Sequence, residues 1–209
     1  KLFQLGHEHE VSDEIFDIEF TPNRGDCLSV NGLARDLKLF YEINITDSYY
    51  EKDIKPLLLD FNNNVKKYCK NISFLKIEID EIPTEHFEYV NNYLYSTQSK
   101  DNNFFTDISN YISYERGLPT HCFDRELITE GLAFSNRSCQ ESFKTLFGDE
   151  IELQGKNCVF TIGKEVISLA GVMGGDSTAC SSNTKKVLVE CAYFNPEEII
   201  GKTVKYNLK

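Results

Sequence analysis

The sequence predicts an α+β protein: a short strand-turn-helix unit at the N-terminus, then a larger α+β domain with a mostly antiparallel sheet. Three observations carry this. Apolar residues recur at helical spacing over 30–41 and again over 105–112, and the chain after 131 alternates between apolar and polar residues and is broken by tight-turn signals. Helices early and strands late are the signature of a segregated α+β architecture.

The elements follow in order. IFDIEF, from Ile15 to Phe20, alternates as a half-buried strand does. TPNRGD then turns, with Pro22 fixing φ and Asn23 and Gly25 suited to left-handed backbone. Asp26 is the expected N-cap of a helix in which Val30, Leu33, Ala34, Leu37, Phe40 and Tyr41 share one face. Residues 1–47 form this first unit, 48–71 read as a polar linker, and 72–209 form the second domain. ISFLKIEID opens that domain as a strand, and a helix begins at Thr84 or Glu85 and runs through Leu94. A further helix presents Phe105, Ile108 and Ile112, and stops at Gly117, a left-handed C-terminal position. GLAFSN, KTLFGDEIEL, CVFTI, VISLAG and VLVECAYF are strands, with turns at Gly148-Asp149 and Gly163-Lys164. Asn195 caps a last helix, PEEIIGKTVKY, with Pro196 at its first position.

Composition narrows the function. Lys and Arg number 22 against 33 Asp and Glu, a net charge of −11, which opposes a free-standing nucleic-acid binder. A module to which other parts of an assembly deliver a nucleic acid stays open. The seven cysteines include no CxxC pair, so neither a disulfide framework nor a zinc site is expected, and free thiols suit a reducing cytoplasm. No apolar run reaches the roughly 18 residues of a membrane span. The first residues, KLFQLG, lack an initiator methionine, which points to a piece of a longer protein.

Three islands could carry chemistry. His121 follows Gly117-Leu118-Pro119, so a helix stop and a stiff residue aim its ring; the plainer reading is a packed or solvated loop histidine. AGVMGG places Gly171, Gly174 and Gly175 directly after a strand, where backbone could approach a ligand and offer N–H groups, or merely make a tight turn. It lacks the lysine of a P-loop, which excludes nucleotide-phosphate binding of that kind. Glu190 interrupts an apolar strand and shares a face with Leu188 and Ala192; buried there it needs a partner, and at an edge it would be solvated. Together the islands suggest a small-ligand pocket with hydrolytic character.

FTPNRGDCLSVNGLARDL, DISNYISYERGLPTHCFD and SLAGVMGGDSTACSSNTKKVLVECAYFNPEEI resemble, in order and spacing, segments of the bacterial phenylalanyl-tRNA synthetase beta subunit. The resemblance implies the end of its B1 domain followed by its B3/B4 editing domain, which hydrolyses tyrosine wrongly esterified to phenylalanine tRNA. It implies His121 and Asn110 as catalytic residues that orient the ester and a water. It also implies Glu190, Gly171, Ser109, Gly174, Gly175 and Lys100 as substrate-binding residues, with Glu190 accepting the tyrosine hydroxyl. Ser109 stands where the family commonly has threonine, and Lys100-Asp101 where it often has arginine-proline, so the planar guanidinium fork is lost there. No metal and no cofactor are implied for this segment; ATP and Mg²⁺ would belong to the alpha-subunit site. The implied partners are the 3′ end of phenylalanine tRNA, tyrosine and the alpha subunit in an alpha2-beta2 tetramer, in the cytoplasm and away from membranes. The alternative is a degenerate editing domain that keeps only an assembly role.

Overall fold

The computed structural model describes residues 1–45, 53–99 and 102–208. The chain divides into two compact units, 1–55 with 85–102 and 107–119, and 56–84 with 103–106 and 120–209.

In the first unit, β1 (Glu8–Ser12) and β2 (Ile15–Glu19) make a two-stranded antiparallel ribbon. Its turn residues, Asp13 and Glu14, both have positive φ, at 48° and 68°. Such a turn matches the twist of its strands but normally calls for Asn or Gly, so the first strand left no turn signal to read. Gly25–Cys27 form a 3-10 turn, and α1 spans Val30–Leu37. The N-cap is Ser29, whose Oγ accepts the Gly32 N–H at 2.9 Å, and not Asp26. The 3-10 turn moves the helix start three residues along, and neither Asn23 nor Gly25 adopts positive φ. Helix α2 (Glu88–Ser96) begins later than its sequence suggested. Tyr93 packs against both Tyr111 and Tyr114, with ring centroids 5.8 and 4.9 Å apart. Helix α3 (Phe104–Arg116) ends as expected at Gly117, which has φ 76° and donates its N–H to Ser113 O at 2.8 Å.

The second unit is built on two sheets. One has the order β4 (Cys69–Glu78), β10 (Lys186–Phe194), β5 (Thr120–Asp124), all antiparallel. The other runs β3 (Phe61–Asn63), β6 (Leu132–Lys144), β7 (Glu150–Ile162), β8 (Glu165–Leu169), β9 (Met173–Gly174), antiparallel except for the β3–β6 pair. Period-two alternation sends Phe123 and Leu188 from the first sheet into one core with Leu132, Phe134, Phe160 and Ile167 from the second. Phe160 is its hub: its ring lies 5.3 Å from Phe134, 6.2 Å from Phe123 and 6.4 Å from Phe74 and from Phe194. A fully buried phenylalanine contributes about 2 kcal/mol or more by apolar burial alone. The opposite face of the three-stranded sheet buries Cys122 and Val187 with Phe105.

Three expectations change here. Residues 56–71, read as linker, supply β3 and pack Leu57, Leu59, Phe61, Val65 and Tyr68 against the core. The first hairpin strand after 131 extends to Lys144 because the polar run from Arg137 to Ser142 pairs residue by residue with β7. The last helix breaks at Gly201, φ 80°, into α4 (Pro196–Ile199) and α5 (Lys202–Lys205).

Candidate functional site

Strand β10 lies between β4 and β5, and its residues from Val187 to Cys191 have a cross-strand neighbour on either side. Glu190 is paired with Phe74 on one side and His121 on the other. Direct cross-strand partners project to the same face, with Cβ atoms about 5 Å apart. That face also carries Leu188, Ala192 and Phe123 and is the one turned to the core. A carboxyl group therefore sits in a row of apolar side chains, 7% exposed. Burial pushes its pKa up to about 7, and no cation or donor among the described residues holds it down.

His121 is not the loop residue its proline suggested. Thr120–Asp124 hydrogen-bonds along β10 as a strand, and the pairing fixes the ring on the inner face. The ring meets Phe123 edge-on, with centroids 4.4 Å apart. The residue keeps some exposure at its edge, but Nε2 is buried and has no hydrogen-bond partner among the described residues. Burial lowers its pKa to about 4, so the ring is neutral at pH 7. A neutral imidazole nitrogen without a partner is an unused donor or acceptor, according to its tautomer.

The second sheet closes over His121 through the β8–β9 turn. A Cβ on Gly174 would lie 2.4 Å from His121 Cε1, 3.0 Å from its Nε2 and 2.6 Å from Leu146 Cδ1. Glycine is required there for the backbone to lie on the ring. Gly171, φ 70°, faces Phe194 Cδ2 and Ile199 Cδ1 at 2.8 and 2.9 Å from its would-be Cβ, so the protein's own side chains fill that space. Gly175 donates its N–H to Ile167 O at 2.9 Å, and Val172 donates to Leu169 O at 2.9 Å. These two amides serve the turn and not a ligand.

His121, Glu190 and Gly174 are thus brought together in the second unit. Ser109 and Asn110 belong to the first: Ser109 is buried and its carbonyl accepts the Ser113 hydroxyl at 3.0 Å, while Asn110 is exposed on α3. Lys100 lies outside the described residues.

A second ionisable cluster, in the first unit, went unread in the sequence. His7 Nε2, Cys27 Sγ and Asp36 Oδ2 lie within 4.8 Å of one another, a set that could hold a metal ion. Here the Arg24 guanidinium sits among them, 2.7 Å from Cys27 Sγ and 2.5 Å from Asp36 Oδ2. It also donates to Asp26 at 3.0 and 3.2 Å. The hydrogen bond from Arg24 holds the Asp36 carboxyl below its ordinary range, and burial raises the Cys27 thiol. A side-chain cation already fills the centre of this set, and TPNRGD emerges as a scaffold built on Arg24.

The second unit is a two-sheet α+β domain, and its candidate site is a carboxyl and an imidazole that stand side by side in an apolar row without a hydrogen-bond partner among the described residues. The chain belongs to the B3/4 domain family, whose model matches residues 74–209. It is 32% identical to the phenylalanine–tRNA ligase beta subunit of Burkholderia lata over 203 residues, which are 94% of this chain and 25% of that protein. It is 33% identical over 200 residues to the same subunit of Aquifex aeolicus, again 94% of this chain and 25% of that protein. The chain therefore spans about a quarter of the length of the curated relatives it matches. Among solved structures, an N-terminal fragment of the phenylalanyl-tRNA synthetase beta subunit from Pyrococcus horikoshii is similar over 91% of this chain and 59% of its own, with a TM-score of 0.49 and 14% identity.

Proposed function

We propose that this chain is the editing part of a phenylalanine–tRNA ligase beta subunit and hydrolyses the ester of tyrosine on phenylalanine tRNA. The observation that carries the reading is Glu190, a buried carboxyl with no charge partner, set beside the unpaired Nε2 of His121.

Tyrosine and phenylalanine differ by one hydroxyl. Glu190 meets that hydroxyl in either protonation state, accepting its proton as a carboxylate or donating to its oxygen as an acid. Phenylalanine would leave the group desolvated and unpaired. Sites built to bond a substrate hydroxyl reject the analogue lacking it by about 10⁴–10⁵. Water adds to the ester carbonyl carbon, the bond to the tRNA 3′ oxygen breaks, and that oxygen leaves with a proton; the products are tyrosine and free tRNA. An aminoacyl ester is labile, so His121 need only orient the ester and the water. Partners follow from this reading: the tRNA 3′ end reaches the module from elsewhere in an alpha2-beta2 enzyme in the cytoplasm, and ATP and Mg²⁺ act at the alpha-subunit site.

The test is deacylation of preformed tyrosyl-tRNA by the full alpha-beta enzyme carrying Glu190→Ala or His121→Ala. A loss of at least about 100-fold with Glu190→Ala, or about 2.7 kcal/mol in the barrier, is the expected result. An unaltered enzyme that hydrolyses nothing would sink the editing reading and leave the assembly role.

A further inference from the structure

The hydrolysis proposed above makes no use of His7, Cys27 and Asp36 in the first unit. Three separate segments bring these side chains together. His7 stands just before β1, Cys27 closes the 3-10 turn, and Asp36 lies in the last turn of α1. His7 is fixed on both sides: its ring meets Phe20 edge-on, with centroids 4.8 Å apart, and its backbone N–H is donated to Leu2 O at 3.1 Å. His7 and Cys27 are buried, so an imidazole nitrogen and a sulfur face a carboxylate away from bulk water.

The spacing of the three ligand atoms suits a small divalent ion. Tetrahedral zinc, with bonds of about 2.05 Å to nitrogen, 2.1 Å to oxygen and 2.3 Å to sulfur, holds nitrogen and oxygen about 3.4 Å apart and sulfur and oxygen about 3.6 Å apart. Asp36 Oδ2 lies 3.3 Å from His7 Nε2 and 3.5 Å from Cys27 Sγ. A set of imidazole, thiolate and carboxylate selects zinc-like ions over Mg²⁺ and Ca²⁺, which take oxygen ligands. Arg24 Nη2 marks the place such an ion would take, in contact with both Cys27 Sγ and Asp36 Oδ2.

Arg24 is also the member best placed to leave. Its side chain is 29% exposed, against 16% for Asp36 and 2% for His7. The charges permit the exchange. Two guanidinium groups, of Arg24 and Arg35, face two carboxylates, of Asp26 and Asp36. An incoming Zn²⁺ replaces the single charge of Arg24 and the proton of the Cys27 thiol, so the net charge of the cluster is unchanged. The proton goes to solvent as the thiolate binds. Arg35 stays on Asp26 and keeps that carboxylate answered.

We propose that His7, Cys27 and Asp36 form a binding site for a thiophilic divalent ion of the zinc class, with Arg24 the resident cation that the ion displaces and a water in the fourth position. The ion would tie the entry to β1, the 3-10 turn and α1 to one point. The inference stands apart from the editing reading and does not depend on it.

The experiment titrates Co²⁺ into the full alpha-beta enzyme after a chelator has stripped it, and reads the near-ultraviolet charge-transfer band that a cobalt–thiolate bond produces. Zn²⁺, which is spectroscopically silent, is then added in competition. The expected result is a band that saturates at one Co²⁺ per beta subunit, is bleached by Zn²⁺, is absent in Cys27→Ser and survives in Cys191→Ser. Arg24→Gln removes the resident competitor and is expected to tighten the apparent Zn²⁺ affinity about 10-fold, because the site no longer has to be vacated first. His7→Gln is expected to weaken it at least about 10-fold and serves if Cys27→Ser does not fold. Arg24→Lys, which keeps the charge and loses the fork, should tighten it about threefold and serves if Arg24→Gln does not fold. A band that persists in Cys27→Ser, or no band in either the parent or Arg24→Gln, overturns the site. A band seen only in Arg24→Gln, or an affinity that no change at Arg24 or His7 moves, overturns the proposed displacement and with it the proposal.

Discussion

The two units each bury an acid and a histidine close together, and they treat them in opposite ways. Around Asp36 every charge is answered: Arg24 donates to it, His7 Nε2 lies 3.3 Å away, and Asp26 is shared between Arg24 and Arg35. Around Glu190 no group among the described residues answers, and Nε2 of the imidazole opposite has no partner among them either. Partners pull the Asp36 pKa down, whereas burial pushes that of Glu190 up to about 7. A paired set holds a loop in shape. An unpaired set inside apolar walls is a standing cost that a ligand with one hydroxyl can relieve.

The largest test of this contrast is the pH dependence of stability. Glu190 has its folded pKa raised from 4.5 to about 7, so its contribution is full below 4.5 and is lost as pH rises through 7. His121 has its folded pKa lowered from 6.5 to about 4, so its contribution is full above 6.5 and is lost as pH falls through 4. Between these limits the unfolded pair holds one proton on histidine and the folded pair holds one on glutamate, so the two dependences cancel. Glu190→Gln removes one of them. Urea unfolding of that variant should show stability rising by about 2.5 kcal/mol, relative to the parent, between pH 4.5 and 6.5. A parallel pair of curves would mean that the carboxyl is not buried and neutral.

Substitution at the two acids comes next. Asp36→Ala leaves Arg24, His7 and Cys27 without their shared acceptor and is expected to cost about 2 kcal/mol. Glu190→Met replaces an unpaired buried carboxyl with an apolar chain and is expected to add about 1 kcal/mol at pH 8. Equal signs in denaturant titrations would erase the distinction between the clusters. Gly174→Val sharpens it further: the new side chain must push the His121 ring and Leu146 aside, at about 2 kcal/mol, and tyrosyl-tRNA deacylation should fall with it. The smallest effect belongs to the scaffold's helix. Ser29→Ala removes the cap on Gly32 N–H and should lower thermal stability by about 1 kcal/mol without altering deacylation.

Alternation in VLVECAYF was enough to put Glu190 with Leu188 and Ala192 on one face, because a period of two leaves no other arrangement. His121 was harder. THCFD is too short for a period, and its partner strand lies some 65 residues on in the chain, so a nearby proline outweighed a pairing that only the fold reveals. The β1–β2 ribbon went unseen because Asp13-Glu14 carries no glycine or asparagine at a turn that needs left-handed backbone. TPNRGD was legible as a turn but not as a network: His7, Arg24 and Asp36 are spread over 30 residues with no shared period. The contact of His86 Nε2 with Asp107 Oδ2, 3.2 Å long, was invisible for the same reason. Gly174 stood out in sequence, although the object it makes room for is the histidine ring rather than open space.

The strand order of the three-stranded sheet also sets a schedule for synthesis. β10 is the central strand, yet it leaves the ribosome last of the three, after β4 and β5. Until residue 194 emerges, the two earlier strands have no partner within this sheet and must wait with their backbone groups solvated. Chains grow at about 5–20 residues per second, so β4 waits on the order of ten seconds. Glu190 is delivered by the same strand that completes the sheet. A nascent chain stalled before it would hold an unfinished sheet with open edges, a ready client for chaperones.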